Sequence, residues 1–436
     1  MSAENNTLKR SLTLFPCIMI MISSVVGSGI FSVSGEIMAV AQGSGTNFLA
    51  WIIAGLCVLL MCNIYMELAP AMPVAGGGYV YLTKAYGKNL AFFYGWGRLV
   101  NDVSVIALYA MACMNYLTYF IPMNDITKKL VGSVLIVVIV ILNIRGVKQS
   151  SSTNNILTVA KLLGIGVIIV GGLCLMSKAN FQPVASPEKG WSTVGAAAVP
   201  AFFAFGGFNQ ICYMSEEIKN PGKTLPKAII IGITSILAIY LLLTTASIGT
   251  LGVEKLGASD KAMVSVANVV FGDFAAVLIA ILGIVSIVAS MNAIVLATPR
   301  IAFSMGRDGS YPYVMGKVHP KYDTPYVAIL VYGVFALALL WLGSFGTLLS
   351  VCVFVGRIMD CLVACSVLTL RKKFPDMVRP FKMKGYPITL FLCIALSLYL
   401  AFNVTTQRML FSAILVLIGV PVFFITKAVN KNHPES

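Results

Sequence analysis

Ionisable side chains are scarce in this sequence: 11% of its 436 residues are charged and 58% are hydrophobic. Histidine is nearly absent. The two present, His319 and His433, lie in basic polar segments, which argues against a buried metal site or a histidine proton relay. The ten cysteines stand singly in apolar stretches, as Cys17, Cys57, Cys113, Cys212 and Cys393 do. None has metal-ligand spacing, and Cys361 and Cys365 are merely one helical turn apart, so packing is the role assigned to them. No phosphate-binding glycine loop, activated nucleophile or carboxylate pair stands out. The sequence therefore offers no enzyme active site and calls for no cofactor or metal. Acidic residues are also few, 16 against 31 lysines and arginines, for a net charge of +15. Such an excess can mark a nucleic-acid binder. Here the cations sit in short loops between apolar runs, so they report membrane topology and no nucleic-acid partner is expected.

What the sequence has in abundance is apolar length. A helix crosses about 30 Å of hydrocarbon with roughly 20 apolar residues. Runs bounded by charge, glycine or proline fall near 12–41, 47–72, 90–121, 128–146, 151–177, 193–217, 226–252, 271–304, 325–343, 346–370, 386–405 and 408–427. The expectation is an all-α polytopic protein of twelve transmembrane helices. The first run lacks a small-residue cleavage site and continues at spanning length, so it reads as a retained span. With the N-terminus on the cytoplasmic side, 21 of the 31 basic residues fall inside and seven outside. Three, Arg98, Lys161 and Arg357, fall within spans. That asymmetry places both termini in the cytoplasm of a cell-membrane protein.

Two spans carry glycine in their middles: Gly27-Ser28-Gly29 in span 1 and Gly206-Gly207, between Phe205 and Phe208, in span 6. Close packing explains one such pair. Two pairs at corresponding positions of two halves point instead to inverted repeats with substrate held between broken helices. The breaks lie five spans apart. The expected organisation is thus a five-plus-five inverted repeat with helices 1 and 6 broken: tails 1–11 and 428–436, repeats 12–177 and 193–370, and two added helices over 386–427. A break exposes carbonyls at the end of one half-helix and N–H groups at the start of the next. A zwitterion fits both. The amides near Gly27, Ser28 and Gly29, at a positive dipole end, suit a carboxylate, and the carbonyls near Val25, Phe203, Ala204 and Gly206 suit an ammonium. Ile30 and Phe205 complete the candidate lining.

The stretch Phe203-Ala204-Phe205-Gly206-Gly207-Phe208-Asn209-Gln210, continuing through Glu216-Glu217-Ile218-Lys219-Asn220-Pro221 to Leu225-Pro226-Lys227, resembles the sixth helix and following loop of the L-type amino acid transporters, light-chain-like members of the amino acid, polyamine and organocation superfamily. Further matches follow in order: Val26 to Phe31; Glu67-Leu68 with Pro73, Gly76, Gly77 and Tyr79; Ala160-Lys161-Leu162-Leu163; Gly306-Arg307-Asp308-Gly309; His319-Pro320 with Thr324-Pro325; and Arg379-Pro380-Phe381-Lys382. The resemblance covers almost the whole chain. It implies alternating access and transport of L-amino acids, commonly by exchange. Phe203 matches the family's aromatic gate and Asn209 a polar pocket residue. Tyr240 on span 7 reads equally as a further gate or as a packed aromatic. Animal members pair with a heavy chain through a cysteine after span 3. The loop from Pro122 to Lys129 has none, so a stand-alone, prokaryotic-type protein is expected.

Lys161 lies 11 residues past Ser150, roughly 16 Å along a helix at about 1.5 Å per residue, near the midplane. A charge there is a functional hypothesis by default. It matches the family lysine whose ammonium takes the place of a sodium ion, which argues against sodium coupling. A desolvated lysine can also act as a proton carrier, so exchange and proton symport both stay open. Arg357 and Asp360 sit one turn apart on span 10, with Arg98, Asn101 and Asp102 on span 3. The family is usually apolar or aromatic at the position of Arg357. Pairing among these charges and selection of a polar or acidic substrate side chain by Arg357 are the two readings. A polyamine or cationic amino acid carrier is disfavoured because no unpaired acid is evident at the breaks. A channel lacks any resemblance to a selectivity filter.

Overall fold

The computed structural model describes residues 12–26, 28–72, 76–145, 151–213, 218–322 and 324–431. Gly27, Pro73, Glu216, Glu217 and the tail over 1–11 lie outside them. The described chain is nearly all helix. Among these residues no strand forms, only two isolated bridges, Leu12 with Ile218 and Ser186 with Gly190. The helices are α1 (Leu14–Val25), α2 (Ser28–Ala41), α3 (Ser44–Ala71), α4 (Gly78–Tyr86), α5 (Lys88–Leu117), α6 (Asp125–Ile144), α7 (Ser151–Cys174), α8 (Val194–Phe203), α9 (Gln210–Tyr213), α10 (Pro221–Gly257), α11 (Ala262–Phe271), α12 (Asp273–Ala297), α13 (Pro299–Arg307), α14 (Tyr326–Leu342), α15 (Phe345–Lys373), α16 (Ile388–Phe402), α17 (Thr406–Leu417) and α18 (Gly419–Lys431).

Six helical stretches among the described residues are long and apolar enough to cross a bilayer: Ser44–Ala71, Lys88–Leu117, Pro221–Gly257, Asp273–Arg307, Phe345–Lys373 and Thr406–Ala428. Burial ranks them. The apolar window of α5 is 83% buried and that of α15 78%, against 17% for the last stretch, so α5 and α15 form the centre and α17 and α18 the rim. Large apolar side chains such as Leu163, Phe274, Leu342 and Phe402 are exposed, an arrangement at home in hydrocarbon and costly in water.

Local sequence explains most interruptions. Gly252 takes φ +79 and ends the straight run of α10, where the apolar run also stops. Gly76 and Gly77 (φ +116 and +51) and Gly87 (φ +87) bracket α4, turning the chain into and out of a nine-residue helix in what the apolar pattern leaves as a loop. α11 likewise forms in the loop left before span 8, and α13 is a separate helix at the end of that run that apolar length alone does not set apart.

Candidate functional site at two facing helix breaks

The first apolar run divides where its glycines stand. α1 ends at Val25, and Val26 is extended (φ −76, ψ 99) while its N–H still donates to Ile22 O at 2.7 Å. α2 starts at Ser28. The sixth run divides over residues 204–209. There the N–H of Phe205 donates to Phe202 O (3.0 Å) and that of Gly206 to Phe203 O (2.9 Å), tightening the end of α8 into turns. Gly207 at φ +96 then redirects the chain into α9.

The two breaks press on each other at reciprocal points. A methyl group at Gly29 would lie 2.6 Å from Ala204 Cα, and one at Gly207 would lie 2.7 Å from Ser24 O. Both positions therefore need glycine, the second for its φ as well. The sequence singled out Gly206, yet the steric demand falls on its neighbour: among the described residues a methyl at Gly206 would meet only its own turn, Phe203 O at 3.1 Å. Gly206 is exposed while Phe203, Ala204, Phe205, Phe208 and Asn209 around it are buried. Backbone at this break is thus reachable from a water-accessible space.

Tyr240 on α10 joins the breaks. Its hydroxyl contacts Ala204 O at 2.8 Å and Val25 O at 3.1 Å, donating its single proton to one or other of the carbonyls that end α1 and α8. Trp51 and Phe205 hold the ring, with centroids 5.0 and 5.2 Å away. Phe203, the last residue of α8, meets Tyr109 of α5 edge-on at 6.0 Å. Ile30 is buried in α2, and one residue further on Phe31 O accepts from the Tyr116 hydroxyl at 2.8 Å. Trp51, Tyr109 and Tyr116 were not singled out from sequence; in an apolar chain an aromatic lining a site carries no signal that separates it from core.

Four of the intramembrane charges are brought into two separate pairs. Asp102 accepts from Arg98 at 3.0 Å, one turn away on α5. Arg357 pairs with Asp360 on α15, and its guanidinium lies 3.5 Å over the Phe202 ring, beside the break. The Tyr65 hydroxyl donates to Asp360 Oδ1 at 3.4 Å. Two Arg357 nitrogens, Nε and Nη1, are buried without a hydrogen-bond partner among the described residues. Lys161 is buried on α7 and forms no ion pair among the described residues. That helix packs against α1, α10, α11 and α12. No group of His, Cys, Asp and Glu among the described residues could hold a metal ion.

Broken apolar helices with facing backbone ends, embedded in a helical membrane protein, define a membrane carrier rather than an enzyme. The amino acid permease family model matches residues 12–425, and the chain belongs to that family. Curated relatives agree. It is 28% identical to the branched-chain amino acid permease BcaP of Bacillus subtilis, over 97% of this chain and 94% of that protein. It is 27% identical to the serine/threonine exchanger SteT of the same organism, over 97% and 98%. The human large neutral amino acids transporter small subunit 2 is 26% identical, over 96% of this chain and 80% of its own length. The resemblance to L-type transporters read from the motifs is thereby shown.

Proposed function

We propose that this permease is a sodium-independent secondary transporter of small L-amino acids, working by alternating access and chiefly by exchange. The carrying observation is the reciprocal contact of the breaks at Gly29 with Ala204 and Gly207 with Ser24, which leaves the backbone of Gly206 open amid buried neighbours. In this reading the chain has twelve spans in a five-plus-five inverted repeat, with both termini cytoplasmic, and it acts in the cell membrane without a heavy chain. The amides at the start of α2 hold the substrate carboxylate. The carbonyls of Val25, Phe203, Ala204 and Gly206 hold its ammonium, which competes with the Tyr240 hydroxyl for two of them. Phe203 closes over the substrate and Asn209 is a polar residue of its pocket. Named substrates of the relatives include serine, threonine and branched-chain amino acids but also cystine and glutamate, so the names do not choose the side chain, and the ion pair of Arg357 with Asp360 is what supports a guanidinium internal to the protein. Proton symport is the second reading, favoured by a buried Lys161 that no carboxylate neutralises among the described residues.

Purified protein in proteoliposomes loaded with a panel of unlabelled L-amino acids tests this. Exchange predicts that internal serine or leucine accelerates uptake of the labelled one, unchanged when choline replaces sodium. Uptake that ignores the internal amino acid and follows a proton gradient would shift the assignment to symport, and a requirement for sodium would remove Lys161 from its proposed place.

A further inference from the structure

Neither Glu67 nor the stretch Arg379-Pro380-Phe381-Lys382 has a part in the site above, although both belong to the motifs that mark the chain. The fold brings them together. Glu67, near the end of α3, is 1% exposed, and an ionised carboxylate so far from water needs every oxygen satisfied. It is. Arg371 in the last turn of α15 donates from Nε to Oε1 at 2.9 Å and from Nη2 to Oε2 at 2.5 Å, a bidentate pair. The Met383 N–H adds a bond to Oε2 at 2.7 Å, and Arg379 Nε approaches Oε1 at 3.5 Å. Arg379 spends its remaining donors on the carbonyls of Leu370, Phe374, Pro375 and Met377, wrapping the segment over 374–387 around the end of α15. One turn before Glu67, Asn63 donates to Lys384 O at 3.0 Å and accepts from Lys384 N–H at 3.3 Å. On its other side the segment seats Pro380 on Gly222 at the start of α10, where a methyl would lie 2.4 Å from Pro380 Cβ.

We propose that Glu67 is a positioning residue of the transport cycle: it clamps the basic end of α15 to α3 so that the two helices travel as one body while the breaks rearrange. The proposal rests on the reading that transport occurs at those breaks. A buried carboxylate whose two oxygens are both bonded gains nothing by exchanging partners, so this joint stays shut through the cycle. The Tyr240 hydroxyl, one proton between two carbonyls, can trade. What the clamp holds in register is close to the site: Tyr65, two residues before Glu67, donates to Asp360 of α15, and Arg357 of α15 covers Phe202 at the end of α8. With α3 and α15 free to slide, those contacts would loosen whenever α8 moves.

The test uses full-length protein in proteoliposomes, with Glu67→Gln and Glu67→Asp. The clamp predicts that Glu67→Gln lowers exchange turnover per folded transporter by about tenfold while changing the half-saturating concentration less than about twofold. It also predicts faster amide hydrogen exchange over 374–387, and recovery of part of the rate in Glu67→Asp, which keeps the charge. Wild-type turnover per folded molecule in Glu67→Gln, or a lowered rate with segment 374–387 exchanging as slowly as in the wild type, would overturn it. If Glu67→Gln does not fold, Arg379→Gln, which leaves the Arg371 pair in place, carries the same comparison with a loss of about threefold. Absence of exchange in the wild type would count against the proposed transport mode, and the hydrogen-exchange comparison would still decide the clamp.

Discussion

The helix breaks and the Glu67 joint satisfy their polar groups in opposite ways. At the breaks, backbone carbonyls of α1 and α8 share one tyrosine hydroxyl, and the exposed backbone of Gly206 stands in an apolar wall. At the joint, one carboxylate receives two arginines and an N–H, and Arg379 serves four carbonyls in addition. Sparse neutral bonding, each bond contributing about 0.5–1.5 kcal/mol net, exchanges partners at small cost, whereas charge-assisted networks hold. The difference teaches which part of a membrane carrier is free to move and which carries the load of moving it.

The largest expected effect is at Gly207. A valine there meets both an unfavourable φ of +96 and Ser24 O at 2.7 Å, so Gly207→Val should abolish exchange; normal uptake would mean that the breaks do not bear on each other. Next comes the Arg357 pair. Removing one partner of a buried ion pair costs about 3–5 kcal/mol, so Arg357→Ala should sharply reduce folded yield, and Arg357→Ala with Asp360→Ala should restore it. A well-folded Arg357→Ala whose competition panel loses amino acids with acidic or hydrogen-bonding side chains would instead put the guanidinium on the substrate.

A smaller effect decides the role of Tyr240. Tyr240→Phe keeps the ring between Trp51 and Phe205 and removes only the hydroxyl, leaving carbonyls of both breaks short of a donor. The melting temperature of the solubilised protein should fall by an amount matching about 1–3 kcal/mol, and substrate should restore part of it. No change in melting would return Tyr240 to simple packing. The smallest expected effect is none: under the proposed reading, in which the Lys161 ammonium stands in for a sodium ion, exchange rates with sodium or choline outside should agree.

Much of this architecture was legible because a bilayer makes apolar length and glycine unusually informative. The breaks fell in the runs where Gly27 to Gly29 and Gly206-Gly207 announced them, since a glycine inside a spanning run stands out. Assigning the weight to Gly207 rather than Gly206 was beyond the sequence: which of two adjacent glycines takes the positive φ depends on where Ser24 of the other break lies. The aromatic frame of Trp51, Tyr109 and Tyr116 was hidden for a different reason, because apolar rings in an apolar chain look like any other core. The pairing of Arg357 with Asp360 followed from i, i+3 spacing on one helix. The contact of Glu67 with Arg371 and Arg379 joins residues more than three hundred positions apart in the chain and needed the fold.

The most direct test of the central claim is substrate binding to Gly29→Leu beside the wild type, measured as protection of the solubilised protein against heating by saturating L-serine or L-leucine. A Cβ at Gly29 would lie 2.6 Å from Ala204 Cα, so a leucine there forces the two breaks apart, and the expected result is an inserted variant that no amino acid protects, while the wild type gains several degrees. Equal protection of the two proteins would contradict the assignment of the substrate site to the facing breaks.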